Sequence, residues 1–210
     1  MKTKVFSALM AAGSLAGPLV AQAVPYSFDC VTSNNPTNCT AGESQLQLDV
    51  TAGVGTVDLL FTNNGPSASS ITDIYFDWTN PSSVFSAGSI VDSGSGVSFS
   101  WGASPSNLPG GNGISFSADL GADSNAPTQP MGVNPGEWVR FSFTGENLSD
   151  VLADLNSGAL RTGLHVQGFG DGGSESFVST PTSSVPEPGT LALLGLGLMG
   201  LGLTRRRRVK

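Results

Sequence analysis

The sequence has little of what most catalytic and nucleic-acid-binding proteins use. Its 210 residues include one histidine and two cysteines, and no lysine lies between Val24 and Ser184. That stretch carries two arginines against fifteen acids, so phosphate groups would repel it, which argues against binding to DNA or RNA. Only 12% of the chain is charged, while glycine numbers 28 and proline 13, which excludes a helical bundle or coiled coil.

The N-terminus has the three parts of a secretory signal peptide. Lys2 and Lys4 make a positive start, residues 5–20 are mostly small and apolar, and an A-x-A cleavage sequence follows. The alternative is an N-terminal membrane anchor, but Pro18 interrupts the apolar run and the run is short. We therefore expect residues 1–23 to be removed from an exported protein. The cleavage residues are Ala21, Ala23 and Val24.

Export determines how the two cysteines are interpreted. Cys30 and Cys39 flank a turn-rich segment that contains Asn34, Asn35 and Pro36. In an oxidising compartment such a pair is expected to form a structural disulfide. A reactive thiol or a zinc ligand is the alternative, but zinc needs further Cys or His ligands and the chain offers only His165.

The last 26 residues, 185–210, combine a short motif, an apolar run and a positive cluster. Pro186, Glu187 and Pro188 precede the uncharged run 191–203, which spans only about 20 Å as a helix against a hydrocarbon core of about 30 Å. The arginines after it are expected to stay in the cytoplasm, so the run is predicted to be a transient transmembrane anchor. The apolar side chains are those of Leu191, Leu193, Leu194, Leu196, Leu198, Leu201 and Leu203, and the stop-transfer cluster is Arg205, Arg206, Arg207 and Arg208.

This order of features resembles the PEP-CTERM sorting domain of exported bacterial proteins. The resemblance implies that an exosortase, a membrane cysteine protease, recognises Pro186-Glu187-Pro188 and releases or transfers the rest of the protein to the cell surface. It also implies that the protein comes from a Gram-negative bacterium that makes exopolysaccharide. A similar tail occurs in some ice-binding proteins, so the label of an ice-binding protein C-terminal domain is a further implication.

Residues 24–179 show the alternation of apolar and polar side chains that is typical of half-buried strands. Leu46, Leu48 and Val50 would face one way, and residues 57–61 repeat the pattern after a glycine-containing turn. We predict an all-β body, an antiparallel β-sandwich or jelly roll, with residues 180–184 as a linker to the tail. Further strands are predicted over 71–78, 97–101, 114–118, 138–144, 164–168 and 176–179.

One segment of the body has a helical pattern instead. Leu148, Val151 and Leu155 recur at helical spacing, Asn147 or Ser149 can cap the start, and Gly158 can close the end. We predict one short helix that packs on the sandwich. The strand with His165 and the following Gly-Gly-Ser turn should form a hairpin, which resembles the final hairpin of many PEP-CTERM proteins without an assigned activity.

Candidate catalytic groups are few. His165 would face away from its apolar neighbours, and we expect it to contact solvent or pack on a loop, because no Ser-His-Asp signature accompanies it. Asp73 and Asp77 on one predicted strand, and Glu137, offer carboxylates for a glycosidase pair, although fifteen acids make some pair inevitable. Arg140 and Arg161 are expected to pair with nearby acids. Catalysis is therefore not expected.

Two binding possibilities remain open. Asp171 and Glu175 flank a flexible Gly-Gly-Ser turn and could supply oxygen ligands to calcium, although a solvated turn is the plainer interpretation. The tryptophans could stack on sugars, although aromatic residues on alternating strands more often fill the core. These are Trp78, Trp101 and Trp138, together with Tyr75 and Phe76.

We expect a non-enzymatic surface or extracellular-matrix protein that is associated with exopolysaccharide and has no required cofactor. A carbohydrate-binding module or adhesin is the alternative, and an ice-binding protein is a weaker one. The expected partners are the exosortase and, transiently, the inner membrane, and no nucleic acid.

Overall fold

The fold is described here from a computed structural model over residues 23–79, 85, 88–94 and 96–181. Eleven strands lie in these ranges. They are β1 (Val24–Tyr26), β2 (Phe28–Cys30), β3 (Leu46–Ala52), β4 (Thr56–Asn63), β5 (Ser70–Trp78), β6 (Ser89–Asp92), β7 (Phe99–Trp101), β8 (Leu120–Ser124), β9 (Trp138–Thr144), β10 (Leu160–Gln167) and β11 (Ser174–Ser179).

The strands form two antiparallel sheets. Sheet A has the order β1-β3-β4-β9-β6, and sheet B has the order β2-β11-β10-β5-β8-β7. The predicted all-β sandwich is confirmed, and so are the β3–β4 hairpin and the β10–β11 hairpin. Only Ser27 separates β1 from β2, so the start of the body supplies one edge strand to each sheet.

The core lies between the sheets and is rich in phenylalanine. Phe61 and Phe141 from sheet A meet Phe76 from sheet B edge to face, with ring centroids 5.6–6.1 Å apart. All three side chains are fully buried. Burial of each ring is worth about 1.5–3 kcal/mol, and the edge-to-face contacts add to it.

The predicted short helix is confirmed. This is helix α3 (Leu148–Ser157). Two helices that were not predicted precede it, α1 (Pro36–Gln45) and α2 (Thr128–Met131). The Asn147 side chain caps α3 by accepting from the amide of Ser149 at 3.0 Å, and Gly158 closes it with φ of 77°. The apolar face of α3 buries Val151 and Leu155.

Two local predictions are wrong. The segment after Asn35 forms α1 rather than a loop, because the side chain of Asn35 caps it and Pro36 suits the first turn. Residues 114–118 do not form a strand; Ser115 has φ of 53°, which ends a single 3-10 turn at Gly111–Ile114. The strand in this region is β8, which begins only at Leu120.

The two ends of the body emerge side by side. Thr180 donates to the carbonyl oxygen of Ser27 through its amide at 2.9 Å and its hydroxyl at 3.2 Å. We call this side of the sandwich the exit end: it comprises Val24, the β3–β4 turn at residues 53–55, and Thr180. The turn uses Gly55 with φ of 74° and fully exposes Val54 at its tip.

Among the helices in the described ranges, none has the length and apolar character needed to cross a membrane. The predicted signal peptide up to residue 22 and the tail from residue 182 lie outside those ranges.

Candidate functional site

The outer face of sheet B carries a row of acids and the histidine. Asp123 on β8 lies directly opposite Asp73 on β5, and Asp73 lies opposite His165 on β10. Directly opposed residues of antiparallel strands share a face, so the three side chains meet. The Nδ1 atom of His165 is 2.9 Å from Oδ2 of Asp73, and these side chains are only 14% and 5% exposed. We call Asp123, Asp73 and His165 the acid–histidine row.

A β-bulge positions the centre of this row. The register shifts between His165 and Val166, so that Thr72 on β5 has no direct partner on β10. The hydroxyl of Thr72 lies 2.6 Å from Oδ2 of Asp73 and 3.2 Å from the carbonyl oxygen of His165. The extra residue thereby fixes the Asp73 carboxylate between a hydroxyl donor and the imidazole.

The two carboxyl groups differ in proton affinity. Burial and the nearby Asp73 carboxylate raise the pKa of Asp123 to about 7, although the amide of Ser104 opposes this by donating to it at 2.8 Å. Burial acts on Asp73 in the same direction, but hydrogen bonds from His165, Asp123 and Thr72 outweigh it and hold the pKa of Asp73 below its usual value. Of the two carboxyl groups, Asp123 is therefore the one that keeps its proton to the higher pH.

A serine stands in register with the row but is not linked to it. Ser176 on β11 is the other cross-strand partner of His165, which gives the order Ser-His-Asp across three strands. The Ser176 side chain is fully buried, and its Oγ has no hydrogen-bond partner within the described part of the chain. A nucleophile must be activated by the imidazole and reached by substrate, and Ser176 meets neither condition.

His165 thus differs from the prediction that it contacts solvent or a loop. Its strand and face were predicted correctly, but its partner comes from β5, far away in sequence. Asp123 was not singled out, because β8 was not recognised as a strand.

A second polar cluster joins helix α1 to the end of the β10–β11 turn. The carboxylate of Glu175 is 1% exposed and accepts from the backbone amides of Asn34 at 3.0 Å and Asn35 at 2.6 Å. These amides immediately precede α1, where negative charge also interacts favourably with the helix dipole. Glu175 is therefore a structural carboxylate that orients the start of α1.

Three asparagine side chains of this segment hold the turn itself. Asn34 donates to the carbonyl oxygen of Ser174 at 3.0 Å, Asn35 to Oδ2 of Asp171 at 2.5 Å, and Asn38 to the carbonyl oxygen of Gly172 at 3.2 Å. The oxygens suggested for calcium thus already accept hydrogen bonds from amide groups. Calcium binding at Asp171 and Glu175 stays a prediction, and it would require these contacts to be exchanged for metal ligation.

The predicted disulfide is confirmed. Cys30 at the end of β2 is bonded to Cys39 in α1, with their Cα atoms 5.4 Å apart. Gly42, one turn later, lies against the Phe177 ring of β11, where a Cβ atom would come within 2.1 Å of the ring. The disulfide and this close approach fix α1 to the edge of sheet B.

Most aromatic side chains considered as a sugar platform are used in packing. Trp101 contacts Phe141 with ring centroids 5.1 Å apart and donates through Nε1 to the carbonyl oxygen of Gly88 at 2.9 Å. Trp78 packs edge to face on Phe85. Tyr75 and Phe76 are fully buried. Trp138 is half-buried at the start of β9.

The carboxylates considered for glycoside hydrolysis have separate partners. Asp77 pairs with Arg161, whereas Asp73 belongs to the acid–histidine row. Glu137 accepts from the amide and the side chain of Asn134, both at 2.9 Å. Arg140 lies 3.9 Å from Asp58, so both predicted arginine pairs are confirmed.

The predicted sorting, transmembrane and stop-transfer residues lie outside the described ranges, as does Ala21. The other predicted signal-cleavage residues, Ala23 and Val24, lie inside them, and Val24 begins β1. Comparison with protein families matches residues 184–208 to the PEP-CTERM protein-sorting motif. The chain carries a PEP-CTERM sorting motif. The protein is therefore exported and sorted at the membrane by an exosortase. No curated protein and no solved structure matches the chain. The PEP-CTERM match does not support the prediction of an ice-binding protein C-terminal domain.

Proposed function

We propose that the mature protein is a non-enzymatic surface or extracellular-matrix protein that associates with exopolysaccharide after an exosortase has removed its tail. The PEP-CTERM motif at residues 184–208 carries this proposal, because it supports export of the protein and its sorting at the membrane. The side-chain contacts of the described body support the non-enzymatic part: Asp73, Asp77 and Glu137 each have partners within the fold, and the buried Ser176 side chain makes no hydrogen bond with the imidazole.

Before cleavage, the apolar run at 191–203 would hold the precursor in the inner membrane, with Arg205–Arg208 on the cytoplasmic side. Cell fractionation should then place the uncut precursor in the inner membrane and the cut body at the surface or in the medium. Full-length precursor in the surface fraction would contradict this order of events.

The association with polysaccharide is testable by sedimentation. The body contains fifteen acids and two arginines between Val24 and Ser184, so an acidic polysaccharide should bind it only through divalent cations. Purified body should therefore sediment with the native exopolysaccharide in calcium and be released by a chelator. Failure to sediment in either condition would refute the association, and release of reducing sugar would refute the non-enzymatic role.

A carbohydrate-binding module is the second candidate. An open polar groove of about 470 Å³ lies between α1 and the β10–β11 turn, and amide, hydroxyl and carboxylate groups line it. Groups of this kind can form hydrogen bonds with sugar hydroxyls. Saturable binding of a defined neutral oligosaccharide without calcium would favour this candidate over ionic bridging.

A further inference from the structure

The tether between the folded body and the PEP-CTERM motif is short. The body is hydrogen-bonded up to Thr180, and Pro186 lies six residues beyond it. Six residues span at most about 20 Å when fully extended. A body of this size has a radius of gyration of about 15 Å, which is less than the length of the extended tether. A protease bound at the motif is therefore held close to the part of the body from which the tether leaves.

That part is the exit end, which includes the β3–β4 turn. Strand β11 runs antiparallel to β2, so the chain leaves toward Val24. Val24 is level with Val50, and β3 continues beyond this level to the turn. At about 3.3 Å per residue, the turn reaches roughly as far from Ser27 as the extended tether does. The side chain of Val54 at the tip is completely exposed.

Charge at the exit end distinguishes a protein partner from a lipid surface. Asp150 lies in the first turn of α3, six residues after Thr144, which is level with Thr56 at the base of the turn. Anionic headgroups would repel this acid, and the described body has no lysine to offset it. A protein surface can instead accommodate both the acid and an apolar tip.

We propose that the β3–β4 turn, with Val54 at its tip, contacts the outer face of the membrane-embedded sorting protease during cleavage. The body then takes part in its own sorting, because its folded exit end has to fit the enzyme that holds the motif. This inference depends on the sorting motif and not on the proposed association with polysaccharide.

The test measures the rate at which precursor is converted to cut body in exporting cells. V54D should slow conversion by about threefold to tenfold, because an unpaired charge is forced against the protease. V91D is the matched control: Val91 is also exposed, at 39%, but it lies on β6 at the opposite edge of sheet A from β1. Its conversion rate should equal that of the natural chain.

The same measurement is repeated on precursors with a longer tether, made by inserting about twelve flexible Gly/Ser residues after Ser183. With this long tether the body can move away, so V54D should regain the rate of the natural chain. Slow conversion of V54D with both tethers would indicate a folding or export defect and overturn the proposal. So would a normal rate of V54D with the native tether.

Thiol labelling tests which surface covers residue 54, independently of the rate of precursor conversion. V54C precursor is exposed to a membrane-impermeant maleimide in cells with an inactive sorting protease and in cells that lack it. Protection of the thiol only where the inactive protease is present supports the contact. Protection in both strains would show that the lipid surface covers residue 54 and would refute the proposal. Labelling in both strains would show that nothing covers it and would also refute the proposal.

Discussion

Asp123 links the stability of the fold to pH, because it faces a second carboxyl group across two paired strands. Its pKa is raised from 3.8 to about 7 in the folded protein. Between these values the folded state binds more protons than the unfolded state. The free energy of unfolding therefore falls as pH rises through this window.

The variant D123N removes this titration and keeps a neutral donor beside Asp73. We expect its free energy of unfolding to decrease less between about pH 5 and about pH 8 than that of the natural protein. Urea denaturation at several pH values measures the difference. D29N, which changes an exposed acid on β2, is the matched control; equal slopes for D123N and D29N would show that Asp123 does not hold a proton across this pH range.

The partners of single side chains differ in how far the sequence predicts them. Partners for Arg140 and Arg161 were predictable, because an arginine among many acids finds one. The partner of His165 was not, because Asp73 is brought to it by strand pairing across 92 residues and a bulge selects the side chain. The apolar periodicity of a strand predicts which face of the sheet a side chain occupies. The register between paired strands decides which side chain lies opposite it.

Helix α1 depends on a glycine for its position. Alanine is normally better than glycine within a helix, but a Cβ atom at Gly42 would come within 2.1 Å of the buried Phe177 ring. We expect G42A to lower the free energy of unfolding by about 1–3 kcal/mol, because α1 has to move away from β11. Chemical denaturation measures this loss.

G170A is the matched control, since a Cβ atom there meets no atom within 4 Å. It should leave the free energy of unfolding nearly unchanged. Equal effects of the two substitutions would mean that Gly42 acts through backbone entropy rather than through its contact with Phe177.

The disulfide is the second constraint on α1. Replacement of Cys30 and Cys39 by serine together should lower the free energy of unfolding by about 2–3 kcal/mol, because the bond closes a short loop. Denaturation of the double variant, compared with the natural protein before and after reduction, measures this. A natural protein that is equally stable after reduction would show that the hydrogen bonds of Glu175 and the asparagines hold α1 alone.

The difference between the two longer helices explains which elements were predictable. Helix α3 has an apolar face at helical spacing and capping residues at both ends, and it was predicted with nearly its observed bounds. Helix α1 has almost no apolar face, and its position results from the disulfide, the Glu175 carboxylate and the Gly42 contact. Those are tertiary constraints, which a periodicity cannot reveal.

For the whole molecule, processing at both ends gives a direct prediction. Protein recovered from the cell surface or medium should have the mass of a chain from Val24 to about Pro186–Pro188 in its oxidised form. Intact-mass spectrometry measures both cleavages and the Cys30–Cys39 bond together. A mass that still includes Arg205 to Lys210 would mean that the tail acts as an ordinary anchor.

The pairing of β2 with β11 also sets the timing of folding. The first strand of sheet B finds its neighbour only in the last strand of the body, with Asp29 opposite Val178. A chain that crosses a membrane N-terminus first must therefore keep β2 unpaired until almost all of the body has emerged. The sorting motif follows β11 by only a few residues, so completion of the fold and presentation of the cleavage signal fall close together in time. Export, closure of sheet B and commitment to sorting are thereby arranged in sequence along one chain.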